Sequence, residues 1–556
     1  MNPSEIKRIL DDIDIRFDGV DNENVTGGAM LILLELVERL NEENEKLKAE
    51  NQRLRDENNL LKGEEGKPKI RGNTNKNKDV SSEKERKKRK KNKGKKSKAK
   101  KHKIKIDRTE ICKVDQSELP NDAKFIGYES IVVQEILITK DNVEYKKEKF
   151  YSPAENKTYL GKVPIGVKGE FGPGIRALVC TLKHVGNMSE PKILEFLENC
   201  RIFISQSTIS RILTNDETGF NKEKENIFRA ALESTPYHQI DDTTVRVNGK
   251  NEYSQIFCNP CYTAFFTVPH KTRLNILDIL LCGKERTYLF DSKALGLLSD
   301  FNVSKKIISQ IMELTDDREM SEAEMQELLS KLFTDKKKGK NTKTRIMEAA
   351  SIAAYQRQTE VPIINILLSD DAPQFKKLTL EQALCWIHEG RHYNRLSPIV
   401  PLNVEILDNF KTCFWNYYGE LLKYKENPMP EKAELLSAEF DRIFSKKTGY
   451  DSLDDRIEKT GCKKEALLLV LKHPELPLHN NESELGARVE KRRQDVSLQT
   501  KSKEGTDAKD AFLTVTQTAK KLGINAYRYI YDRISKKFSI PSLADLIIQN
   551  FLPQIE

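Results

Sequence analysis

Leu33, Leu40, Leu47, Leu54 and Leu61 recur at every seventh position, which commits this stretch to a helix seeking a partner helix. An α-helix drifts off a seven-residue repeat unless helices supercoil around the shared apolar stripe. With the leucines at d, the a positions are Val37, Asn44, Asn51 and Asn58. Asn at a costs stability, but hydrogen bonds across the seam favour an in-register, two-stranded coil. Glu43, Glu50 and Glu57 fall at g, and Lys48, Arg55 and Lys62 follow at e. Each pair is opposite in sign, as a parallel coil requires. The pattern predicts a homodimer through residues 33–61.

The charge is just as localised. The chain carries +9 overall, yet residues 84–105 hold fifteen Lys or Arg against one acid, Glu85, a local +14 that leaves −5 for the rest. Such a segment cannot bury a core and reads as a disordered linker. Its cations, including Lys87, Lys88, Arg89, Lys90 and Lys91, suit DNA phosphates, with binding that weakens as salt rises. No apolar run reaches the roughly 20 residues of a membrane helix, and no secretory signal opens the chain. Nine cysteines, an odd number spread along 556 residues, fit reduced thiols of a bacterial cytoplasm. The expected location is cytoplasmic, nucleoid-associated when bound, with no membrane partner.

The expected fold is multidomain α+β. An N-terminal segment (1–27) precedes the coil (28–62) and the basic linker (63–106). A small β unit follows over 107–165, where FIGYESIVVQEILI and VEYKKEKFYS read as strands joined at TKDN. Residues 166–236 read as a helical, helix–turn–helix-like DNA-binding region. Its second helix would offer Gln206, Ser207, Thr208, Ser210 and Arg211 to phosphates or base edges. An α/β catalytic domain spans 237–510, with helical insertions near 284–360 and 375–470. A C-terminal helical segment (511–556) turns at Gly523.

Within the α/β region three acids fall in an informative order. Asp241 lies in a strand-like run, IDDTTVRV; Asp370 ends the apolar run PIINILLSD; Glu484 opens a helix after Asn480-Asn481, where Asn would cap. An RNase H-like sheet delivers its acids in this way, from a central strand, a neighbouring strand end and a later helix. Such carboxylates suit two Mg²⁺ or Mn²⁺ ions and phosphoryl transfer. Asp242 and Asp371 sit beside the first two, but adjacent strand residues face opposite ways, so one of each pair meets the metals. Arg488 follows Glu484 by one turn on the same face.

From about residue 165 onward the chain resembles the insertion-sequence 66 family of DDE transposases (TnpC type). IDDTTV resembles the family's Asp-Glu-Thr strand motif, with Asp241 on the catalytic Asp. Ser369-Asp370-Asp371 is a looser match to its Thr-Asp-Gly. Cys385-Trp386-Ile387-His388-Glu389-Gly390-Arg391 is similar to its Cys-Trp-Ala-His-x-Arg-Arg block. Asn480-Asn481-Glu482-Ser483-Glu484-Leu485-Gly486-Ala487-Arg488 resembles its Asn-Asn-x-x-Glu-Arg-x-x-Arg helix. Ser502-Lys503-Glu504-Gly505 and the tail LGINAYRYIYDRI match further blocks. The resemblance implies a catalytic and metal-binding triad of Asp241, Asp370 and Glu484. It implies DNA partners, both element ends and target, contacted also by Arg488 and Arg492, with accessory transposition proteins as further candidates.

Three departures stand out: Asp242 replaces the family's Glu, an insertion of roughly 75 residues (about 284–360) separates the early strands from Asp370, and the zinc unit is lost. The family's Cys-rich zinc unit has only Cys112 left in 107–165, so no zinc is expected there. Elsewhere, Cys258-x-x-Cys261 and Cys385-x-x-His388 together hold four zinc-type ligands, but nothing in their spacing brings the pairs together. Cys385 and His388 are read instead as bracing the fold near the site. The rival readings are a non-catalytic DNA-binding protein derived from a transposase and an RNase H-like nuclease without strand transfer.

Overall fold

The computed structural model describes residues 24–61, 106–115, 123–136, 138–167, 169–215, 219–333 and 339–551. Lys87, Lys88, Arg89, Lys90 and Lys91 lie outside them. The fold is mixed α+β, and the chain divides into two compact units. One comprises Met1–Ser81, Pro164–Ile193 and Gln206–Glu556; the other comprises Ser82–Val163 and Leu194–Ser205.

In the smaller unit, β1 (Lys149–Ser152) and β2 (Lys157–Leu160) form an antiparallel hairpin. The sequence predicts strands over 125–138 and 143–152 with a turn at TKDN; only the end of the second, Lys149–Ser152, is a strand, and the rest is corrected. Described residues between 123 and 148 have no strand, and the turn lies at 153–156. Its Asn156 takes a positive φ of 47°, which Asn tolerates better than most residues. Phe125, Ile126, Tyr128 and Ile131 are exposed, so the apolar alternation read as a strand has no buried face to enforce it.

In the larger unit, α1 (Asn24–Leu61) is one continuous helix. Leu40, Leu47 and Leu54 stand 51–57% exposed, which leaves the heptad stripe open. The opposite flank of the helix is docked. Buried Glu38 accepts from the Ile399 backbone N–H with both carboxylate oxygens, at 2.8 and 3.1 Å. That N–H lies at the mouth of a long helix starting at Pro401, where unpaired donors favour an anion. Glu42 accepts from Tyr450 Oη at 3.1 Å and Ser452 Oγ at 2.8 Å.

Four helices precede the sheet: α2 (Pro173–His184), α3 (Glu190–Asn199), α4 (Gln206–Thr214) and α5 (Phe220–Ser234). The sheet has five strands: β3 (Tyr237–Val247), β4 (Lys250–Asn259), β5 (Tyr262–Val268), β6 (Ile366–Ser369) and β7 (Glu381–Leu384). Their order is β5-β4-β3-β6-β7. The first three pair antiparallel, and β6 and β7 run parallel to β3. Helices α6 (Arg273–Leu280), α7 (Ser292–Asp300), α8 (Lys305–Leu314), α9 (Glu322–Leu332) and α10 (Lys340–Arg357) fill the connection from β5 to β6.

Strand β7 is a correction, because sequence pattern assigns 375–470 to helices. Its residues, Glu-Gln-Ala-Leu, have no strand propensity; pairing with β6 imposes the conformation. After it come α11 (Trp386–Tyr393), α12 (Pro401–Glu426), α13 (Pro430–Phe444), α14 (Asp451–Gly461) and α15 (Lys464–Leu467). These share one core around Trp386, Phe414, Tyr417, Phe440 and Phe444.

The chain then returns to the sheet with α16 (Asn481–Val496) and α17 (Lys503–Lys521), and ends with α18 (Ala526–Ile534) and α19 (Leu543–Phe551). Helix α17 crosses the expected 510/511 boundary because it completes the sheet. Asp510, Thr514 and Thr518, one turn apart, accept from the N–H groups of Thr267, Phe265 and Thr263 at 2.6, 3.0 and 3.2 Å. A helix thus satisfies the edge of β5 that another strand would otherwise extend. Phe228 of α5 packs on Phe257 and Phe266 of one sheet face, while Leu513, Ala487 and Val489 pack on Ile256 and Phe265 of the other.

Candidate active site

Strand register decides which acids meet. Tyr237, His238 and Gln239 of β3 lie level with Ile366, Leu367 and Leu368 of β6. Strand β3 runs on through Asp241 and β6 ends one residue before Asp370, so the two acids stand at the same end of neighbouring parallel strands. Across the antiparallel pair, Asp241 is opposite Ile256 of β4.

The same Ile256 explains how a helix brings the third acid. A Cβ added at Gly486 would stand 2.7 Å from Ile256 Cγ2, closer than side-chain atoms tolerate. Glycine therefore lets α16 lie directly on β4; Glu484, two residues and about 200° round the helix from that contact, comes near enough for its charge to act on Asp241. Lys491 Nζ and Gln494 Nε2 donate to the Thr244 carbonyl at 2.6 and 2.9 Å and fix the other end of the helix on β3. Asn480 occupies the N-cap but makes no side-chain cap, which corrects the capping expected of it.

Asp241, Asp370 and Glu484 thus lie within one another's electric field. Burial raises the Asp241 carboxyl to about 7 against a hydrogen bond from the Asp242 N–H, and the charges of Asp370, Asp242 and Glu484 raise it further. The Asp242 N–H reaches Asp241 Oδ1 at 2.8 Å, and the Ala372 N–H reaches Asp370 Oδ1 at 3.1 Å. Among the described residues, neither acid has an ion pair.

The neighbouring acids are all neutralised. Lys271 Nζ sits 2.6 Å from Asp242, which also accepts from Gln374 at 2.8 Å. Lys376 and Lys463 reach Asp371 at 2.6 and 2.8 Å. Burial pulls Asp371 upward, but those two ammonium groups outweigh it and hold its carboxyl below the usual range. Glu389, buried beside His388, is held low against burial by Thr460, Arg456 and Lys463.

Glu484 is engaged by Arg391, whose Nη2 lies 3.2 and 3.4 Å from its two oxygens. Arg391 Nη1 donates to His388 Nε2 at 2.9 Å, and that nitrogen stands 3.7 Å from Glu484. Burial and the Arg391 charge lower the His388 pKa. Arg488 Nη2 approaches Glu484 at 3.7 Å and is half exposed. Arg391, Lys271 and Lys463 were not singled out from the sequence. Arg391 had a usable signal, since it follows His388 by three residues on a helix and shares its face.

Cys385 donates its backbone N–H to the Ser369 carbonyl at 3.0 Å, which ties α11 to the end of β6. Burial raises the thiols of Cys258, Cys261 and Cys385 to about 12, far from thiolate chemistry. Cys261 Sγ donates to Asn259 Oδ1 at 2.7 Å. Among the described residues, no three His, Cys, Asp or Glu side chains stand arranged to hold a metal ion. The carboxylates still fit hard cations in kind: all donors are oxygen, and two lack any cation among the described residues.

Of the residues expected to meet DNA, Gln206, Ser207 and Arg211 are exposed on α4 and Thr208 is half-buried, while Ile209 and Leu213 anchor the helix inward. Arg492 is exposed on α16. No described helix is long and apolar enough to cross a membrane.

No family model matches the chain. It is 30% identical over 308 residues to the uncharacterized protein y4jO of Sinorhizobium fredii (strain NBRC 101917 / NGR234), an alignment covering 55% of this chain and 94% of that protein. The chain therefore belongs to the same family as the Sinorhizobium fredii protein y4jO.

Proposed function

We propose that this protein is a DNA transposase whose catalytic domain is RNase H-like and whose catalytic, metal-holding residues are Asp241, Asp370 and Glu484. One observation carries the reading: two carboxylates at the same end of neighbouring strands, uncompensated among the described residues, with a third on a nearby helix, all close enough for their charges to act on Asp241. Uncompensated charge so close together is costly, and a divalent cation relieves it. Two Mg²⁺ or Mn²⁺ ions bound there would activate the attacking oxygen and stabilise the leaving one.

The chain's own residues then have distinct tasks. Asp241 sits within β3 and Asp370 directly follows β6, so the pairing of those two strands brings the acids near each other. Asp242, Asp371 and Glu389 keep their own cations and do not compete for the metals. Arg488 and Arg492 present charge to DNA phosphates along α16, and α4 offers a second DNA-facing surface. The open leucine stripe of α1 would pair two chains, so that two element ends meet two sites.

Purified protein should nick linear DNA carrying the gene's flanking inverted repeats only with Mg²⁺ or Mn²⁺. The 3′-hydroxyl products should then join a target plasmid. Cleavage without joining supports a nuclease instead, and no cleavage with either metal contradicts the proposal.

A further inference from the structure

Resting on that reading of the three acids, we propose that Arg391 is a placeholder cation. It holds Glu484 until a divalent ion takes the carboxylate, and its freed guanidinium then grips a backbone phosphate of the DNA in the site. The observations come from three sides. Glu484 has both oxygens on Arg391 Nη2, so its charge is already spent before any metal arrives. Asp241 and Asp370 have no comparable partner among the described residues, so Glu484 is the one ligand that must change partners. Arg391 is also 37% exposed, whereas Glu484 is 15% exposed. The guanidinium therefore borders solvent, where a strand can approach.

Geometry makes the exchange direct. A planar guanidinium presents the same fork of donors to a carboxylate and to a phosphate, which a lysine does not. Helix α11 holds the base of Arg391 firmly, because buried Trp386 donates its indole N–H to the Leu467 carbonyl at 2.9 Å. His388 Nε2, which accepts from Nη1 at 2.9 Å, keeps the fork in the cleft when Glu484 leaves. An arginine serving only as a structural tie would need no exposed face and no second acceptor to steady it.

The test is Mn²⁺ titration by calorimetry on metal-free, full-length protein, with Arg391→Gln, Arg391→Lys, Asp241→Asn and Asp370→Asn compared with wild type. Arg391→Gln should bind Mn²⁺ roughly fivefold more tightly, the worth of a partly exposed ion pair removed from competition. Arg391→Lys, which keeps the charge, should stay within about twofold of wild type. On a short duplex of arbitrary sequence in Ca²⁺, Arg391→Gln should lower the slope of log affinity against log salt by roughly 0.9, one phosphate contact. Unchanged or weaker Mn²⁺ binding by a folded Arg391→Gln protein overturns the proposal, as does an unchanged salt slope. If Asp241→Asn and Asp370→Asn bind Mn²⁺ like wild type, the site reading itself fails. If they lose it while Arg391→Gln is unchanged, only the role of Arg391 fails.

Discussion

Asp241→Asn should abolish metal-dependent cleavage and, at the same time, raise the melting temperature of the metal-free protein at pH 8. The two effects share one cause. Burial and three neighbouring carboxylates raise Asp241 from an ordinary value of 3.8 to about 7. A raised carboxyl means that the folded state holds its proton more tightly than the unfolded chain does. Stability is therefore lost as pH rises from about 4 to about 7, and above 7 the full cost of the buried charge is present. A shift of this size has an upper bound of about 4 kcal/mol, and solvent at the half-buried site reduces it. Asn keeps the shape and can still accept from the Asp242 N–H, but carries no charge. In chelator at pH 8, the variant should melt several degrees above wild type, and at pH 4 the difference should vanish. Cleavage should fall by more than about a hundredfold, since even residues behind a metal ligand cost 10–100-fold. A variant that melts like wild type at both pH values would remove the electrostatic argument, whatever its activity.

The second large effect is expected far from the charges. Trp386 is fully buried, its ring centroid 5.5–6.5 Å from those of Phe414, Tyr417, Tyr418, Phe440 and Phe444. Its backbone N–H also donates to the Leu478 carbonyl at 2.9 Å, just before α16. Trp386→Ala removes the centre of that cluster and leaves the Leu467 carbonyl without its donor. Loss of packing to this extent costs about 3–5 kcal/mol. Trp386→Phe keeps much of the packing but not the hydrogen bond, and should cost about 1–3 kcal/mol. Urea denaturation gives both numbers. Equal midpoints for Trp386→Ala and wild type would show that the helical layer does not depend on this anchor.

What the sequence made legible follows from how local each signal is. Asp370 stands out because a short apolar run of buried-strand type ends on it, and β6 does end one residue before it. The pairing partners of those strands are not local. The pairing of β3 with β6 that brings Asp241 near Asp370 is a tertiary property, and β7 is a strand only because β6 is beside it. Glycine is a weak helix residue, and the use of Gly486 appears only where Ile256 lies beneath it. Arg391 is legible only in part, as the residue three after His388 on one helix face. Its side chain earns its place through Glu484, 93 residues on, which no window of sequence contains.

The heptad stripe is a case of the opposite kind. Its seven-residue period is visible in the sequence, yet the buried role of Glu38 on the outer flank is not, because a glutamate on a charged helix gives no sign of capping another helix. Likewise, the apolar alternation of 125–138 resembles a strand, but pattern forms a strand only where a second strand or a core receives it.

The most direct test is a crystal of the full-length protein soaked in Mn²⁺, with anomalous scattering collected at the manganese edge. The account predicts two peaks about 3.5–4 Å apart between Asp241 and Asp370, with Glu484 turned from Arg391 to one of them. Peaks elsewhere, or none at the three carboxylates in a crystal that binds Mn²⁺ at other sites, would contradict it.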